Sequence, residues 1–410
     1  MHKALQSALA NFAQANGELL IAGKPISTFA AEKRTPFYLY DPAILRRRQQ
    51  QLRAALPKEI KIYYAVKANP NVRLIRELGG LYDGVDIASK GEMIRAIEAG
   101  VKPEAMSFAG PGKSIEELRF AIKYKVGTIS VESERELEHI RELCCQLNAV
   151  ANILIRVNPA FELAKSGMKM GGGAQQFGID SERVPSLIKS LARDATIRCN
   201  GIHIFAGSQN LNAGAILEAF HSILRDAESL AAEIDGPLPI VNLGGGFGIP
   251  YFEKDEELDL QQISDGLGRL LEGSRKRLPQ TQFKIELGRY LVGESGLYVC
   301  RVLYRKISRG QVFLVTDGGM HHHLAASGNF GQKMVHRPMP ITIANKIHHP
   351  TERVNLVGPL CTPLDTFGMN LELPRADEGD LIAVFNSGAY GYSASPLGFL
   401  SHEPPEEFIL

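Results

Sequence analysis

The chain has 410 residues, of which 44% are apolar and 22% charged, a composition typical of a globular protein with two or three domains. Its 46 basic and 45 acidic residues nearly balance, so charge gives no reason to expect nucleic acid or an anionic membrane as partner. The first residues lack the order of a signal peptide, and no stretch is apolar enough to span a bilayer. We therefore expect a cytoplasmic protein.

From about residue 60 to 290, short apolar runs alternate with polar segments of helical character. The runs are IYYAV (62–66), GVDIA (84–88), MSFAG (106–110), GTISV (127–131), NILIRV (152–157), GIHIF (201–205), PIVNL (239–243) and FKIEL (283–287). Such alternation is typical of parallel βαβ units. Eight units in about 230 residues favour a closed (β/α)8 barrel over an open doubly wound sheet.

After about residue 290 the chain reads as strands without intervening helices: GLYVCRVLYRKIS, QVFLVTDGG, MPITIANK, RVNLVGP and DLIAVFNSGAY. This pattern predicts an antiparallel β domain. The sequence thus predicts an α/β chain in three parts. They are an N-terminal segment over 1–35 that packs with the β domain, a barrel over 36–288 and a C-terminal β domain over 289–410.

Polar side chains collect at the C-terminal ends of the predicted barrel strands, where enzymes of this architecture carry their active sites. They are Lys67, Asn69, Asp86, Glu92, Glu132, Ser133, Arg156, Asn158, His203, Ser208, Gln209, Glu286 and Arg289. Each alone has an ordinary explanation, such as a solvated lysine for Lys67 or a hydrogen-bonded core histidine for His203. Their coincidence at one end of the barrel predicts a site, in which a lysine with a buried stem would be a reactive amine.

The run GGGFG at 244–248 is the clearest local signal. Glycines let backbone N–H groups approach an anion closely, and a helix N-terminus after the turn would add a favourable dipole. A tight structural turn and a dinucleotide site are the alternatives. The spacing is not G-x-G-x-x-G and the run lies late in the alternating region, so a phosphate site is favoured.

Two other patterns, the adjacent histidines and the five cysteines, are weak indications of metal or disulfide chemistry. The histidines at 321–323 would point to opposite faces of an extended strand, so a polar active-site loop is favoured over a metal site. The same holds for His348 and His349. The five cysteines are odd in number and sparse, and no pair has metal-ligand spacing, so a disulfide framework is not expected.

Nine segments resemble, in order, the motifs of the fold-type III decarboxylases that use pyridoxal 5′-phosphate (PLP). They are YYAVKANPN, GVDIASKGE, VESERE, IRVNP, GIHIFAGSQ, NLGGGFG, ELGR, GPLCTPLD and SGAYGYS. This family includes the diaminopimelate, ornithine and arginine decarboxylases. The resemblance covers nearly the whole chain. It implies a PLP-binding TIM barrel of the alanine racemase type, a β domain, and a homodimer whose active sites are shared across the interface.

The resemblance also implies residue roles. Lys67 resembles the lysine that carries PLP covalently, His203 the histidine that stacks on the cofactor ring, and Glu286 the carboxylate beside the pyridine nitrogen. Cys361 resembles a proton-donating cysteine from the second subunit. The other implied cofactor contacts are Asp86, Glu92, Arg156, Ser208, Gly244, Gly245, Gly246, Leu287, Gly288, Arg289 and Tyr390. The implied substrate contacts are Arg289, Cys361, Asp365 and Tyr390.

These roles suit decarboxylation. Loss of carbon dioxide leaves an electron pair on Cα, and a protonated pyridine ring is the electron sink that stabilises it. A carboxylate at Glu286 would favour the positive charge on that nitrogen. The thiol of Cys361 could then deliver a proton to the product.

The sequence differs from diaminopimelate decarboxylases at both positions whose side chains hold the far end of the substrate. Thr362 and Pro363 follow Cys361 where those enzymes have Glu-Ser, and DGGMHHHLAASGNFGQ lacks their arginine. Asp365 is the one obvious acidic candidate nearby. MHHHLAASGNFGQ and HIFAGSQ are more similar to decarboxylases from biosynthetic clusters, including the butirosin-pathway enzyme that acts on glutamyl-loaded carrier protein and the exosortase-associated enzymes.

We therefore expect a biosynthetic enzyme that decarboxylates an amino acid or an amino-acid derivative. The candidate substrates include an amino acid linked to an acyl carrier protein. A diaminopimelate or basic amino-acid decarboxylase is one alternative. A PLP racemase on the same barrel is another, and a non-catalytic binding relative is the third. Retention of Lys67, His203, Glu286, Arg289 and Cys361 together argues against the last.

Overall fold

A computed structural model describes residues 3–160, 168–169, 173–328 and 337–410. The chain divides into two compact units. The first comprises Met1–Leu45, Pro250–Glu257 and Val292–Leu410, and the second comprises Arg46–Ile249 and Leu258–Leu291. Within the described ranges, no helix has both the length and the apolar character that crossing a bilayer requires.

The second unit contains a closed barrel of eight parallel strands, called here the first to eighth barrel strands. They are Lys61–Ala65, Gly84–Ile87, Met106–Phe108, Thr128–Val131, Ala151–Asn158, Ile197–His203, Ile240–Gly245 and Gln282–Leu287. Each strand pairs in parallel with the next, and the eighth pairs with the first, which closes the barrel. Each strand corresponds to one apolar run of the sequence, so the barrel prediction is confirmed.

Helices surround these strands: Pro42–Ala55, Val72–Leu78, Lys90–Glu98, Ile115–Lys123, Glu134–Leu147, Val184–Leu191, Ala213–Ile234, Leu260–Ser274 and the short Arg289–Val292. Several begin at a side chain that caps the first turn. Asn71, Ser89 and Ser133 each accept a hydrogen bond from a backbone N–H of the helix that follows, and Ser114 forms a capping box with Glu117. These caps fix the strand-to-helix turns at the end of the barrel where the site residues lie.

The first unit is a β domain. Its main strands are Phe37–Tyr40, Gly296–Ser308, Gln311–Thr316, Ile341–Ile343, Thr351–Val357, Thr366–Pro374, Leu381–Val384 and Glu406–Ile409, with a small sheet of Gln14–Ala15, Glu18–Ile21 and Lys24–Pro25 and the helices Lys3–Ala10 and Ile26–Glu32. The predicted antiparallel arrangement is incomplete, because two pairings are parallel: Gln311–Thr316 with Thr351–Val357, and Phe37–Tyr40 with Glu406–Ile409. Long connections make these parallel pairings possible.

The N-terminal residues share a core with the β domain. Leu5, Leu9 and Phe12 belong to the same buried apolar cluster as Leu297 and Phe385. The boundary between the units falls near residue 45, whereas the sequence placed the start of the barrel at 36. The difference arises from the strand FYLY at 37–40, which precedes a helix as barrel strands do but pairs with 296–299 in the β domain.

Candidate active site

Lys67 lies directly after the first barrel strand, in a 3-10 turn over Val66–Ala68. Its Nζ atom is 5.7 Å from the centre of the Phe205 ring. The neighbours Val66 and Ala68 are buried, but Lys67 itself is exposed. The expectation of a buried stem is therefore wrong for this chain, and the amine is accessible to a carbonyl compound at the C-terminal end of the barrel.

Glu286 is a buried carboxylate on the eighth barrel strand, with 5% of its surface exposed. Its Oε1 accepts a hydrogen bond from the side-chain amide of Asn242, and its Oε2 lies 3.4 Å from Nε2 of His203. The other end of Asn242 accepts the backbone N–H of Gly244 at 3.0 Å. One amide side chain therefore links the acid to the glycine turn.

His203, on the sixth barrel strand, is 1% exposed. Burial lowers its pKa to about 4, although the nearby Glu286 carboxylate acts in the opposite direction. Its Nδ1 lies 3.1 Å from the Ser130 hydroxyl on the fourth strand. At neutral pH the imidazole is therefore uncharged, and it is held at a defined place in the barrel interior.

Asp86 and Glu92 supply two more acids near this centre. Burial raises the pKa of Asp86 well above its usual value, the Glu286 carboxylate adds to this rise, and Lys67 opposes it. The Oδ1 atom of Asp86 has no hydrogen-bond partner among the described residues, so a bound water or ligand is needed to satisfy it. Glu92 accepts the backbone N–H of Ala88 at 2.7 Å, and burial raises its pKa.

Arg156 on the fifth barrel strand is held by Glu132 at the end of the fourth. The guanidinium donates to Oε1 of Glu132 at 2.8 Å, and both side chains are almost fully buried. Glu132 also accepts the backbone N–H groups of Gly110 and Gly178. Glu132 thus joins three elements at the top of the barrel, a role that the sequence did not indicate.

The glycine turn after the seventh strand has a backbone that only glycine adopts readily. Gly244 and Gly246 have φ angles of +68° and +87°. A Cβ on Gly246 would overlap the carbonyl oxygen of Gly207, and one on Gly245 would overlap that of Glu286. The next helix begins only at Leu260, so the helix dipole expected directly after the turn is absent.

Hydrogen bonds connect a second loop, which contains Gln209 and Asn210, to this turn. Asn210 donates its N–H to the Gly246 carbonyl at 2.9 Å and accepts the N–H of Gly248 at 2.9 Å. The side chain of Gln209 pairs in both directions with the backbone of Ile249. Ser208, predicted as a phosphate contact, lies at the start of this second loop in the short strand Gly207–Ser208.

The end of the eighth barrel strand lies against the turn that carries Lys67. Leu287 is buried, and a Cβ on Gly288 would lie only 2.8 Å from the Cβ of Ala68. Arg289 is the first residue of the short helix that follows. The absence of a side chain at Gly288 thus permits the close approach of these two segments.

Cys361, Asp365 and Tyr390 belong to the first unit. Cys361 is exposed, and Tyr390 has a left-handed backbone with a φ of +57°. Asp365 is 3% exposed, and its two carboxylate oxygens accept the backbone N–H groups of Met320 and Leu360 at 2.7 and 2.8 Å. The structure does not support the predicted substrate contact for Asp365, because its carboxylate is buried and orders the loop that contains Cys361.

The histidines at 321–323 also differ from the prediction of a polar active-site loop. All three are buried in the β domain, where Nε2 of His322 lies 3.0 Å from the Glu403 carbonyl and Nε2 of His323 lies 2.9 Å from the Ser387 hydroxyl. Residues 329–332, the end of the segment compared above, lie outside the described residues. In the described ranges no group of three or more potential ligands is arranged to hold a metal ion.

Comparison with known proteins identifies the class of protein. The family model "Pyridoxal-dependent decarboxylase, pyridoxal binding domain" matches residues 43–293. The chain is 38% identical to the L-glutamyl-[BtrI acyl-carrier protein] decarboxylase of Niallia circulans, over 92% of this chain and 88% of that one, and 31% identical to the diaminopimelate decarboxylase of Aquifex aeolicus, over 93% and 88%. It superposes on the diaminopimelate decarboxylase of M. jannaschii with a TM-score of 0.90 and 25% identity, covering 98% of this chain and 93% of that one.

The chain therefore belongs to the pyridoxal-dependent decarboxylases. It is a PLP-dependent amino-acid decarboxylase, that is, a carboxy-lyase, and the predicted enzyme class and cofactor are confirmed. The described residues fit this cofactor. The barrel offers an accessible amine, a glycine turn whose packing leaves no room for a Cβ, a buried carboxylate, and an oxygen of Asp86 without a partner among the described residues.

Proposed function

We propose that this enzyme removes the α-carboxylate of an amino acid whose far end is masked in an acyl link, such as a glutamyl unit on a carrier protein. The reaction would take place at the C-terminal end of the barrel. The proposal has two parts, the roles of the barrel residues and the identity of the substrate.

In the first part, Lys67 would hold PLP covalently, and the Gly244–Gly246 turn would hold its phosphate through backbone N–H groups other than that of Gly244, which donates to Asn242. Glu286 would face the pyridine nitrogen and keep its proton in place, since a carboxylate favours a nearby positive charge. When bound, the cofactor supplies the electron sink for decarboxylation. Support comes from the accessible position of Lys67 and from the buried contact of Glu286 with Asn242.

Other side chains would orient these groups. The neutral imidazole of His203 offers a flat face for packing against a ring, and Arg156 is fixed for a polar contact by Glu132. Cys361 is exposed on the β domain. We propose that its thiol acts as the proton donor in the active site of a second copy of the chain, within a homodimer.

The substrate part rests on one observation: two segments of this chain lack the groups with which diaminopimelate decarboxylases hold the free distal ammonium and carboxylate of the substrate. Thr362 and Pro363 replace an acidic pair after Cys361, and residues 317–328 contain no arginine. Asp365, the remaining acid nearby, already accepts two backbone N–H groups. An acyl-linked substrate needs neither of these charged groups, because its distal carboxyl carries no charge. The 38% identity to the glutamyl-carrier enzyme agrees with this chemistry.

The test is carbon dioxide release from four substrates at equal concentration: glutamyl-loaded carrier protein, free glutamate, free lysine and meso-diaminopimelate. We expect kcat/KM for the carrier-linked substrate to exceed that for the free amino acids at least a hundredfold, about 2.7 kcal/mol in transition-state stabilisation. Rapid turnover of meso-diaminopimelate would refute the substrate assignment. Covalent attachment of PLP after borohydride treatment of a Lys67→Ala protein would refute the role of Lys67.

A further inference from the structure

The imidazole of His203 has a different polar group beside each nitrogen. Its Nδ1 lies 3.1 Å from the hydroxyl of Ser130, while Nε2 forms no hydrogen bond to the described residues and lies 3.4 Å from Oε2 of Glu286. The exposed fractions of Ser130, His203 and Glu286 are 0%, 1% and 5%. Bulk water therefore has little access to this arrangement, and the protein itself determines which nitrogen carries the proton.

A neutral imidazole has one N–H, and its two tautomers place that proton on opposite sides of the ring. With the proton on Nδ1, the Nε2 lone pair of His203 would lie 3.4 Å from the Glu286 carboxylate, and two acceptors would repel each other. With the proton on Nε2, the positive end of the N–H lies near the carboxylate without the alignment of a hydrogen bond, and Nδ1 becomes an acceptor. A hydroxyl can serve as donor to Nδ1, and Ser130 provides one at hydrogen-bonding distance.

The backbone of Ser130 is itself held in place by a buried cation. Its carbonyl accepts a hydrogen bond from Nζ of Lys113 at 2.9 Å, and the same Nζ donates to the Gly110 carbonyl at 2.6 Å. Lys113 also forms an ion pair with Glu136 at 2.7 Å, and their side chains are 1% and 9% exposed. The fourth barrel strand is thereby tied to the loop after the third strand and to the helix Glu134–Leu147.

We propose that Ser130 is a positioning residue that holds His203 in the tautomer with its proton on Nε2, the nitrogen that lies 3.4 Å from Glu286. The hydroxyl donates to Nδ1 and fixes the plane of the ring. The consequence for catalysis rests on the function proposed above, because there the same plane would face the cofactor ring. The tautomer itself is a property of the chain without cofactor.

The first test therefore uses the cofactor-free protein. Long-range ¹H–¹⁵N NMR of ¹⁵N-histidine-labelled protein near pH 7.5 reports the tautomer of each histidine, and a His203→Asn protein identifies the relevant signals. We expect the Nε2–H tautomer in the wild type, a mixture of tautomers in Ser130→Ala, and the wild-type pattern in Ser130→Thr, which retains the hydroxyl. A wild-type His203 with its proton on Nδ1 would overturn the proposal even if no variant folded.

The second test uses the PLP-loaded enzyme and its best substrate from the screen above. Ser130→Ala should lower kcat roughly tenfold with little change in KM, which is the size of effect expected when a group that orients a functional imidazole is lost. Ser130→Thr should restore most of the rate. Thr128→Val is the matched control, since Thr128 lies on the same strand and its hydroxyl contacts Ser107 instead of His203.

The two tests separate the two proposals. If the wild type releases no carbon dioxide from any substrate, the proposed function fails while the NMR result still decides the tautomer. If the loaded enzyme is active but Ser130→Ala leaves both kcat and the His203 signals unchanged, the role of Ser130 is refuted. Equal losses in Ser130→Ala and Thr128→Val would also refute it, because the effect would then reflect general packing of the fourth strand.

Discussion

Replacing Asn242 by alanine should affect both the stability of the barrel and its affinity for the cofactor. Asn242 is 1% exposed, donates to the Glu286 carboxylate and accepts the N–H of Gly244. The substitution leaves two buried groups short of a partner. Loss of a hydrogen bond to a charged group costs about 1.5–3 kcal/mol, and a buried backbone N–H without a partner costs about 1–3 kcal/mol. We therefore expect unfolding to become easier by roughly 3–4 kcal/mol.

Urea titration followed by circular dichroism measures this change in the free energy of unfolding. Absorbance titration with PLP should also show weaker cofactor binding, because Asn242 connects the proposed ring contact at Glu286 to the glycine turn at Gly244. Asn355→Ala is the matched control. Asn355 is a buried asparagine of the β domain with hydrogen bonds to Gln311 and Asn370, and its loss should reduce stability without changing PLP affinity in the same way.

The reasoning would be refuted if Asn242→Ala unfolded within 1 kcal/mol of the wild type, on the order of a single neutral hydrogen bond, and bound PLP equally well. Asn242→Asp gives a second check. It retains an acceptor for the Gly244 N–H but places a second carboxylate beside Glu286. Repulsion between the introduced carboxylate and that of Glu286 should lower its PLP affinity further.

The glycine turn, the buried histidines and the Cys361 loop each give one further prediction. Gly246→Ala should weaken PLP binding at least tenfold in an absorbance titration, because its Cβ would overlap the Gly207 carbonyl and its φ is +87°. The free energy of unfolding should rise with pH between about 4 and 6.5, because burial lowers the pKa of His322 to about 4 while the unfolded chain still binds a proton there. In urea titrations at several pH values, His322→Asn should reduce this slope by up to about 1.4 kcal/mol per pH unit. Asp365→Asn should lower stability to thermal unfolding by about 1–2 kcal/mol, since an amide offers one acceptor to two backbone N–H groups.

Two of these have a control in the same chain, and the third has an outcome that would contradict it. Gly268→Ala, at a helical glycine with no atom close to the added Cβ, should leave PLP binding unchanged. His349→Asn, at an exposed histidine, is the matched variant for His322→Asn, and an equal change in both would contradict the burial argument. An Asp365→Asn protein with normal stability but a raised KM would show that the substrate contact predicted from the sequence was right.

The barrel could be predicted because each of its strands corresponds to an apolar run between polar segments of the sequence, such as IYYAV at 62–66. The strand Phe37–Tyr40 could not be assigned in this way. Its four consecutive buried residues precede a helix, which is also the pattern of a barrel strand. Only pairing with 296–299 and 406–409 places it in the β domain, and such distant partners leave no local signal.

Candidate site residues could be selected from the sequence where charged residues follow strands, and less readily inside the strands. Lys67 and Glu286 stand at strand ends, whereas Ser130 and Asn242 are uncharged polar residues within largely apolar strands. The alternation of Thr128, Ser130 and Glu132 places these three on one face of the fourth strand. Polar residues at every second position could have indicated a polar barrel interior. Both faces of a parallel barrel strand are buried, however, so this spacing alone does not identify the face that points into the barrel.

The pairing of Phe37–Tyr40 has a consequence for synthesis on the ribosome. Both of its neighbours, Gly296–Val299 and Glu406–Ile409, emerge only after the whole barrel has been translated. In the folded protein each residue of this strand is at most 1% exposed. Until its two neighbouring strands are made, the strand lacks the contacts that bury it, and unpaired apolar strands of nascent chains tend to aggregate. The barrel strands, by contrast, all lie between residues 61 and 287. We therefore expect this short N-terminal strand to be where the growing chain most needs a chaperone.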